Sequence, residues 1–164
     1  MLTTQAALDS EHADFIAGGV SIQVAGRDAA NETTVTRAVG CRVSADRQRV
    51  TVFVSAAQSG ALLADVRANG NIAVAFTQPT THRAIQLKGT DASVVPLEAD
   101  DPHLLAAYRS RLAAQVAPFG FSEAFVRSLL SIAAGDVVGV AFTPADAFLQ
   151  TPGPKAGSPL RSPA

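Results

Sequence analysis

The sequence predicts a mainly β protein with some α-helix, of the α+β class, in which about six antiparallel strands roll into a small barrel flanked by helices. Short runs in which β-branched and polar residues alternate predict the strands. These runs follow one another closely, which favours antiparallel pairing, and closing the sheet would leave few unpaired strand edges. Other stretches show the apolar spacing of amphipathic helices, and these would fill the ends of the barrel.

Composition restricts the class of protein. The 164 residues are 48% apolar and 16% charged, which predicts one soluble domain with a substantial core. A formal net charge of -1 leaves no basic surface for nucleic acid or an anionic membrane. A single cysteine excludes an internal disulfide. The sequence shows no signal peptide and no apolar run of roughly 20 residues, so a cytoplasmic protein is expected.

The stretch from Val35 to Val54 organises the predicted barrel. It predicts two strands, over 35–44 and 50–55, joined by a polar turn at 45–48. Arg37 and Arg42 lie at positions of opposite parity, so a regular strand would place them on opposite faces unless a bulge near Gly40 changes the register. A guanidinium on the apolar face needs an anionic partner, because an unpaired buried charge is costly. That partner is either a bound anion or a carboxylate of the chain.

The other elements are predicted from apolar spacing and from turn residues. Towards the N-terminus we expect a helix over 4–17 ended by Gly18-Gly19, a strand over 20–25, and a polar loop over 26–33. After the central strands we expect a helix capped by Ser59 and closed at Asn69-Gly70, a strand over 72–76, a turn over 77–82, and a long strand over 83–96 bent at Gly89.

The last part of the chain predicts two helices, a strand and a tail. Asp101 and Pro102 would begin the first helix, Pro118 and Gly120 would break it, and the second helix would run from Ser122 to a stop at Gly135. A strand is expected over 136–150. Residues 151–164 are rich in Pro, Gly and Ser and predict a disordered tail, which leaves residues 1–150 as the domain.

The order of these elements resembles the FMN-binding split barrel of the pyridoxamine 5′-phosphate oxidase-related proteins, roughly over residues 20–97. Arg37 and Arg42 have the spacing of the family's R-x-x-x-x-K strand, Val54-Ser55 is similar to its aromatic-hydroxyl strand end, and Arg83 with Gly89 matches its R-Q-V-x-x-x-G strand. The resemblance implies a six-stranded antiparallel split β-barrel with flanking helices. It also implies a flavin split-barrel domain over 1–150 and a homodimer with FMN at the interface.

The family motifs imply a set of cofactor contacts and an activity. The implied cofactor-binding residues are Arg37, Ala38, Val39, Gly40, Cys41, Arg42, Val54, Ser55, Ser59, Arg83 and Gln86. The implied activity is a flavin-dependent oxidation or reduction of a small organic substrate. The family's C-terminal Arg-x-His signature is absent, so oxidation of pyridoxine phosphate itself is not expected.

One departure from the family pattern keeps an alternative open. The family has Ser-Arg-Lys before the helix, where two cations bind the FMN phosphate, whereas this chain has Ser59-Gly60-Ala61. A phosphate without those cations lacks its charge-assisted hydrogen bonds. The alternative is therefore a non-catalytic split-barrel binding protein that holds haem or another ligand.

Cysteine, histidine and arginine side chains can act in catalysis or binding, but structural or surface roles are expected for Cys41, the histidines and the helix arginines. Cys41 is expected to pack as a small apolar residue rather than to act as a nucleophile. His82 could line a ligand pocket or ligate haem, but a surface position in its turn is the expected one. The three histidines lack metal-ligand spacing, and no metal site or catalytic acid or base is predicted. The sequence also predicts solvated helix faces for Arg109, Arg111 and Arg127.

Overall fold

Two antiparallel sheets form the body of the protein in the computed structural model, which describes residues 8–133 and 135–160. The strands in chain order are β1 Ser21–Arg27, β2 Thr33–Arg37, β3 Cys41–Val43, β4 Val50–Ser55, β5 Ile72–Thr77, β6 Ala84–Gly89, β7 Ser93–Val95, β8 Val137–Phe142 and β9 Asp146–Leu149. One sheet has the order β2-β1-β5-β6-β9 and the other has the order β3-β4-β8-β7. The described chain is therefore an α+β protein, as predicted.

The helices lie against the ends and the open side of this sheet pair. They are α1 Ser10–Ile16, α2 Gly60–Asn69, α3 Asp101–Val116 and α4 Glu123–Leu129, with a 3₁₀ turn at Ala117–Phe119 between the last two. Leu62, Leu63 and Val66 of α2 are buried against the sheets. None of the helices in the described part of the chain combines the length and the apolar character needed to cross a bilayer.

The core lies between the sheets and is filled by the inward residues of each strand. In β1 and β5, every second residue is buried, as the period-two pattern predicts. Strand β4 is buried along its whole length, because it is an inner strand of its sheet and is covered on both faces. The largest fully buried side chains are aromatic, namely Phe53, Phe76 and Phe142.

The predicted count of about six strands is too low, because three of the predicted strands are broken. The strand expected over 35–44 is interrupted at residues 38–40, so β2 belongs to one sheet and β3 to the other. At the break, Ala38 N–H donates to Ile22 of the first sheet and Val39 N–H donates to Phe53 of the second. The backbone therefore changes partners here, which a local bulge would not do.

The other two breaks separate β6 from β7 and β8 from β9. Gly89 ends β6, and a Cβ on it would lie 2.8 Å from the Phe142 ring and 2.9 Å from the Thr143 carbonyl oxygen. The bend predicted at Gly89 is thus a full change of sheet. Strands β8 and β9 are separated by residues 143–145. This segment includes Pro144, which has no N–H to donate to a strand ladder.

Most of the predicted helix signals correspond to the observed helices, but the Ser59 side chain makes no capping hydrogen bond at the start of α2. Gly70 ends α2 with a φ of 69°, and Gly120 follows the 3₁₀ turn with a φ of 87°, both in the left-handed region that glycine tolerates. The Ser122 hydroxyl accepts from Phe125 N–H and caps α4, as expected. The helix predicted over 4–17 is shorter in the described residues and begins at Ser10, while residues 4–7 lie outside them. Helix α4 ends at Leu129, before Gly135.

The C-terminal segment follows β9 closely through residue 160. Leu149 N–H donates to the Ser158 carbonyl oxygen, Leu160 N–H donates to the Ala147 carbonyl oxygen, and Phe148 forms a bridge with Pro159. Composition predicts disorder for residues 151–164, but residues 151–160 fold back along this edge strand. Residues 161–164 lie outside the described residues.

Candidate functional site

One face of the five-stranded sheet points away from the core and carries a row of polar residues. Arg37 of β2 lies opposite Gln23 of β1, which lies opposite Ala75 of β5, and Ala75 lies opposite Gln86 of β6. Side chains of directly opposed residues share a face, so these four residues form one row across four strands. We call the surface around this row the outer sheet face, and it consists of Ser21, Gln23, Ala25, Val35, Arg37, Ala73, Ala75, Gln86 and Phe148.

The floor of the outer sheet face is flat and built from small residues. Ala25 of β1 and Ala73 and Ala75 of β5 come from neighbouring inner strands, and all three are half-buried. Phe148 of β9 lies opposite Gln86 and borders the floor on one side, where the Lys88 ammonium is 5.3 Å from the ring centroid. Alanine side chains leave room for a planar group to approach the sheet closely. The face is thus a shallow apolar floor with polar residues at its margins.

Arg37 is the cation at one margin of this face. Its guanidinium is exposed and donates a 3.0 Å hydrogen bond to the Ser21 hydroxyl. Within residues 8–133 and 135–160 it contacts no carboxylate, so its charge is not neutralised by the chain. Gln86 is three strands away, which at the usual strand spacing is about 14 Å. The Gln86 carboxamide oxygen accepts a long, 3.4 Å hydrogen bond from Gln150.

Arg42 and Arg83, the other two predicted cofactor contacts with positive charge, are already paired. Arg42 donates to Asp101 at 2.9 Å and to Glu98 at 2.6 Å, and its guanidinium lies over the Phe53 ring. Arg83 pairs with Glu11 at 2.8 Å and lies 4.5 Å above the Phe15 ring. Both arginines are therefore neutralised by carboxylates of the chain, and for Arg42 this is the carboxylate alternative that the sequence left open.

The residues between the two arginines of the central stretch lie at the break between β2 and β3. Ala38, Val39, Gly40 and Cys41 are all buried there, and Val54 on β4 is fully buried. A Cβ on Gly40 would lie 2.6 Å from a Leu105 methyl group, so this glycine allows α3 to pack against the break. All five of these predicted cofactor contacts are therefore buried within the protein.

The predicted serines are engaged with neighbouring parts of the chain. The Ser55 hydroxyl donates to the Asp136 carboxylate, and the same carboxylate accepts from Ala57 N–H at 2.9 Å. Ser59 is buried, and its hydroxyl shares a 3.1 Å hydrogen bond with Thr36. The turn before α2 thus holds a carboxylate in place, and its Ala56, Ala57 and Gln58 amides already donate to Asp136 or Ser55. These groups do not fit a phosphate dianion, which Asp136 would repel.

Cys41 and Tyr108 are buried titratable groups that meet under α3. Burial raises the pKa of the Cys41 thiol to about 12, and the adjacent Arg42 offsets this only in part. Burial likewise raises the pKa of the Tyr108 hydroxyl, which donates a 2.7 Å hydrogen bond to the Val20 carbonyl oxygen. A thiol with so high a pKa is a poor nucleophile at neutral pH. Packing is therefore the role that the structure gives Cys41.

The histidines occupy separate places. His82 is exposed in its turn with a φ of 58°, and its N–H donates to the Gln78 carbonyl oxygen. His12 is bonded to Asp9 at the start of α1. In the described part of the chain, no group of three or more His, Cys, Asp or Glu side chains could hold a metal ion.

Two residues at these sites were not identified from the sequence. Gln23 occupies the polar position between Ile22 and Val24, and only the register of β1 against β2 shows that it lies beside Arg37. Asp136 precedes β8 and is 81 residues from Ser55. No local pattern connects such distant residues, so neither could have been selected without the fold.

Comparison of the structure with solved structures supplies the fold family. The Group A Streptococcus protein HupZ superposes with a TM-score of 0.56 and 17% identity, covering 92% of this chain and 99% of that one. An F420 reductase matches with a TM-score of 0.54 and 13% identity, covering 87% and 98%. A Lactobacillus delbrueckii protein assigned as a pyridoxamine 5′-phosphate oxidase matches with a TM-score of 0.53 and 15% identity, covering 90% and 97%.

The likeness to these proteins lies in the fold and not in the sequence. No protein-family sequence model matches the chain, and no curated protein matches it in sequence. The three solved structures nevertheless align over nearly their whole length. The chain therefore has the split-barrel fold of the pyridoxamine 5′-phosphate oxidase-like proteins.

Proposed function

We propose that this protein binds a flavin of the FMN class on the outer sheet face and is a flavin-dependent oxidoreductase for a small organic substrate. The proposal rests on the row across four strands in which Arg37, Gln23 and Gln86 lie beside the alanine floor. The fold of this chain is shared with an F420 reductase and with a protein assigned as a pyridoxamine 5′-phosphate oxidase, and this agrees with the proposal. Because these proteins are only 13% and 15% identical to this chain, the proposal rests on the hydrogen-bonding groups of the outer sheet face.

The donor set of the outer sheet face suits the two ends of a flavin nucleotide. A carboxamide both donates and accepts hydrogen bonds, so Gln23 and Gln86 can pair with the alternating donors and acceptors of a pyrimidine-like ring edge. Arg37 would bind the phosphate, because a guanidinium makes strong charge-assisted hydrogen bonds to phosphate oxygens. The Ser21 hydroxyl, which Arg37 already contacts, would orient the guanidinium.

This arrangement differs from the site that the family motifs imply. The motifs place the phosphate at Ser59 before α2, whereas Asp136 keeps that turn negatively charged in this chain. We therefore assign no cofactor contact to Ser55, Ser59, Arg42 or Arg83. Arg37 and Gln86 are the members of the implied set that remain as contacts through their side chains.

The chain's own contribution would be to bind and orient the cofactor and to exclude water. A bound flavin supplies hydride or electron transfer. The outer sheet face is open on one side, and Val35 at its edge is 63% exposed. A second copy of the chain lying over this face would cover the ring and bury Val35. We accordingly propose a homodimer with the cofactor between the subunits.

Titration of the full-length protein with FMN and with riboflavin tests this function. A yellow protein with absorbance near roughly 450 nm is expected after loading. Arg37→Ala should weaken FMN binding by about tenfold or more and leave riboflavin binding unchanged, because the lost contact is to the phosphate. Gln86→Ala should weaken both ligands. Arg127→Ala is the matched control, since Arg127 is exposed and pairs with Glu123 on α4.

Three outcomes would overturn the proposal. The first is absence of flavin binding by a protein with a normal far-ultraviolet circular dichroism spectrum. The second is FMN affinity that stays the same in both Arg37→Ala and Gln86→Ala. The third is a Soret band on addition of haemin without any uptake of FMN, which would establish the haem-binding alternative instead.

A further inference from the structure

A cavity lies beside the β2–β3 break, where Val39 forms part of its lining. Its volume is about 360 Å³, and it opens between α3, the segment after α4, and the start of β8. Most of its lining is aliphatic and includes Val39, Leu97, Leu105, Leu130, Ile132 and Val137. Cavities of this size and character are typical of small-molecule sites. None of its lining residues belongs to the outer sheet face.

Arg109 is the charged residue that lines this cavity. Its side chain is half-buried on α3, which differs from the solvated position that the sequence predicts. Within residues 8–133 and 135–160, its guanidinium makes no hydrogen bond and no ion pair. The positions three and four residues away on α3 are Leu105, Ala106, Leu112 and Ala113. The helix therefore offers Arg109 no carboxylate.

The carboxylates nearest in sequence to the cavity lining are committed to other partners. Glu98 follows Leu97, and Asp101 precedes Pro102, but both pair with Arg42 on β3. Asp136 lies between the lining residues Gly135 and Val137, and its carboxylate accepts from the Ser55 hydroxyl and from Ala57 N–H. The other arginines named with Arg109 also have partners, since Arg111 donates to the Ala17 carbonyl oxygen and Arg127 pairs with Glu123. Arg109 thus differs from them in being half-buried beside apolar groups while carrying a charge with no partner in the described chain.

We propose that this cavity binds a small organic carboxylate, with its apolar body among the aliphatic side chains and its carboxylate on Arg109. Withdrawing a cation from water without a counter-charge is unfavourable, and a bound anion would supply the missing charge. Guanidinium groups pair with carboxylates through two parallel hydrogen bonds, which also orients the ligand. The inference rests on the cavity and on Arg109 alone, and it holds whether or not a flavin binds elsewhere.

Calorimetric titration with octanoate and 1-octanol tests the proposal, because these probes share an apolar chain and differ in charge. In the unmodified protein, octanoate should bind at least about tenfold more tightly than 1-octanol. Arg109→Gln should abolish this preference by weakening octanoate binding and leaving 1-octanol binding unchanged. Arg127→Gln, which removes an arginine from a solvent-exposed ion pair, should behave like the unmodified protein.

A fluorescence measurement locates the bound probe. The chain contains no tryptophan, so Leu97→Trp at the partly exposed rim of the cavity introduces a single reporter. Octanoate should shift the emission of this variant, and the shift should disappear when Arg109→Gln is added. Equal affinities for octanoate and 1-octanol would overturn the proposal, as would full octanoate affinity in a folded Arg109→Gln variant. Since these assays contain no flavin, they remain informative even if the proposed function fails.

Discussion

The guanidinium of Arg42 on β3 donates a 2.9 Å hydrogen bond to the carboxylate of Asp101 at the start of α3. Asp101 is 1% exposed, and its other carboxylate oxygen accepts from Glu98 N–H at 2.7 Å. This pair connects the edge of the four-stranded sheet to the longest helix. It also explains why an arginine expected to contact a cofactor is not available to one.

Removing Asp101 should destabilise the fold strongly. Asp101→Ala would remove the buried partner of Arg42 and the acceptor of Glu98 N–H, and losing hydrogen bonds to a buried charged group costs about 1.5 to 3 kcal/mol. Urea unfolding followed by circular dichroism measures the change in the free energy of unfolding. Glu98→Ala is the matched control, because Glu98 is 71% exposed and its pair with Arg42 should contribute at most about 1 kcal/mol. Similar losses in the two variants would contradict this assignment.

Cys41 should make the stability of the protein fall in alkali. Its pKa is raised from 9.0 to about 12 in the folded state by burial, so above pH 9 the unfolded chain loses a proton that the folded protein keeps. The contribution of Cys41 to the free energy of unfolding is therefore fully present below pH 9. Between pH 9 and pH 12 it declines by about 1.4 kcal/mol for each pH unit. Urea unfolding at pH 8, 9 and 10 would measure the slope.

Cys41→Ala provides the control for that slope, since it removes the thiol and leaves Tyr108 in place. The decline between pH 9 and 10 should be smaller in this variant than in the unmodified protein. The thiol should also resist alkylation by iodoacetamide at pH 8 until the protein is unfolded. Rapid alkylation of the folded protein would show that Cys41 is accessible and would contradict the prediction.

Gly19→Ala should destabilise the protein, whereas Gly60→Ala should not. A Cβ on Gly19 would lie 2.5 Å from the Arg111 carbonyl oxygen, and this backbone atom of α3 cannot move aside easily. Overpacking of this kind costs about 1 to 3 kcal/mol. A Cβ on Gly60 meets nothing within 4 Å, and alanine is the better helix former there.

Thermal unfolding of the two glycine variants would measure this difference directly. The midpoint should fall for Gly19→Ala and stay the same or rise slightly for Gly60→Ala. The opposite ranking would mean that the segment between α1 and β1 does not approach α3 as closely as the structure shows.

A charge at Val35 should weaken the proposed homodimer. Val35 is an exposed apolar residue at the edge of the outer sheet face, and Val35→Glu would place an unpaired charge in the proposed interface. Analytical ultracentrifugation over a range of concentrations would show the shift towards monomer. Phe125→Glu makes a comparable change at a 49% exposed residue on α4 and should leave the assembly unchanged. A protein that is monomeric throughout would disprove the homodimer itself.

Local patterns in the sequence predicted most of the helices and strands. Alternation of apolar residues located β1, β4 and β5, and the capping residues Ser122 and Gly70 located the ends of two helices. These signals work because backbone geometry makes side chains repeat at fixed intervals within one element. The breaks at residues 38–40, 90–92 and 143–145 were underestimated, because a strand that changes sheets keeps the same local alternation on both sides.

By itself, the sequence determined the α+β class, the order of the elements and the resemblance to a split barrel. Only the tertiary structure decided which arginines are neutralised by the chain and which are open to a ligand. Arg42 meets Asp101 from 59 positions away, and Ser55 meets Asp136 from 81 positions away, while Arg37 and Arg109 meet no carboxylate within the described residues. The physical reason is that the pairing of a charge depends on the neighbours that folding brings to it, and those neighbours are set by sheet register and helix packing.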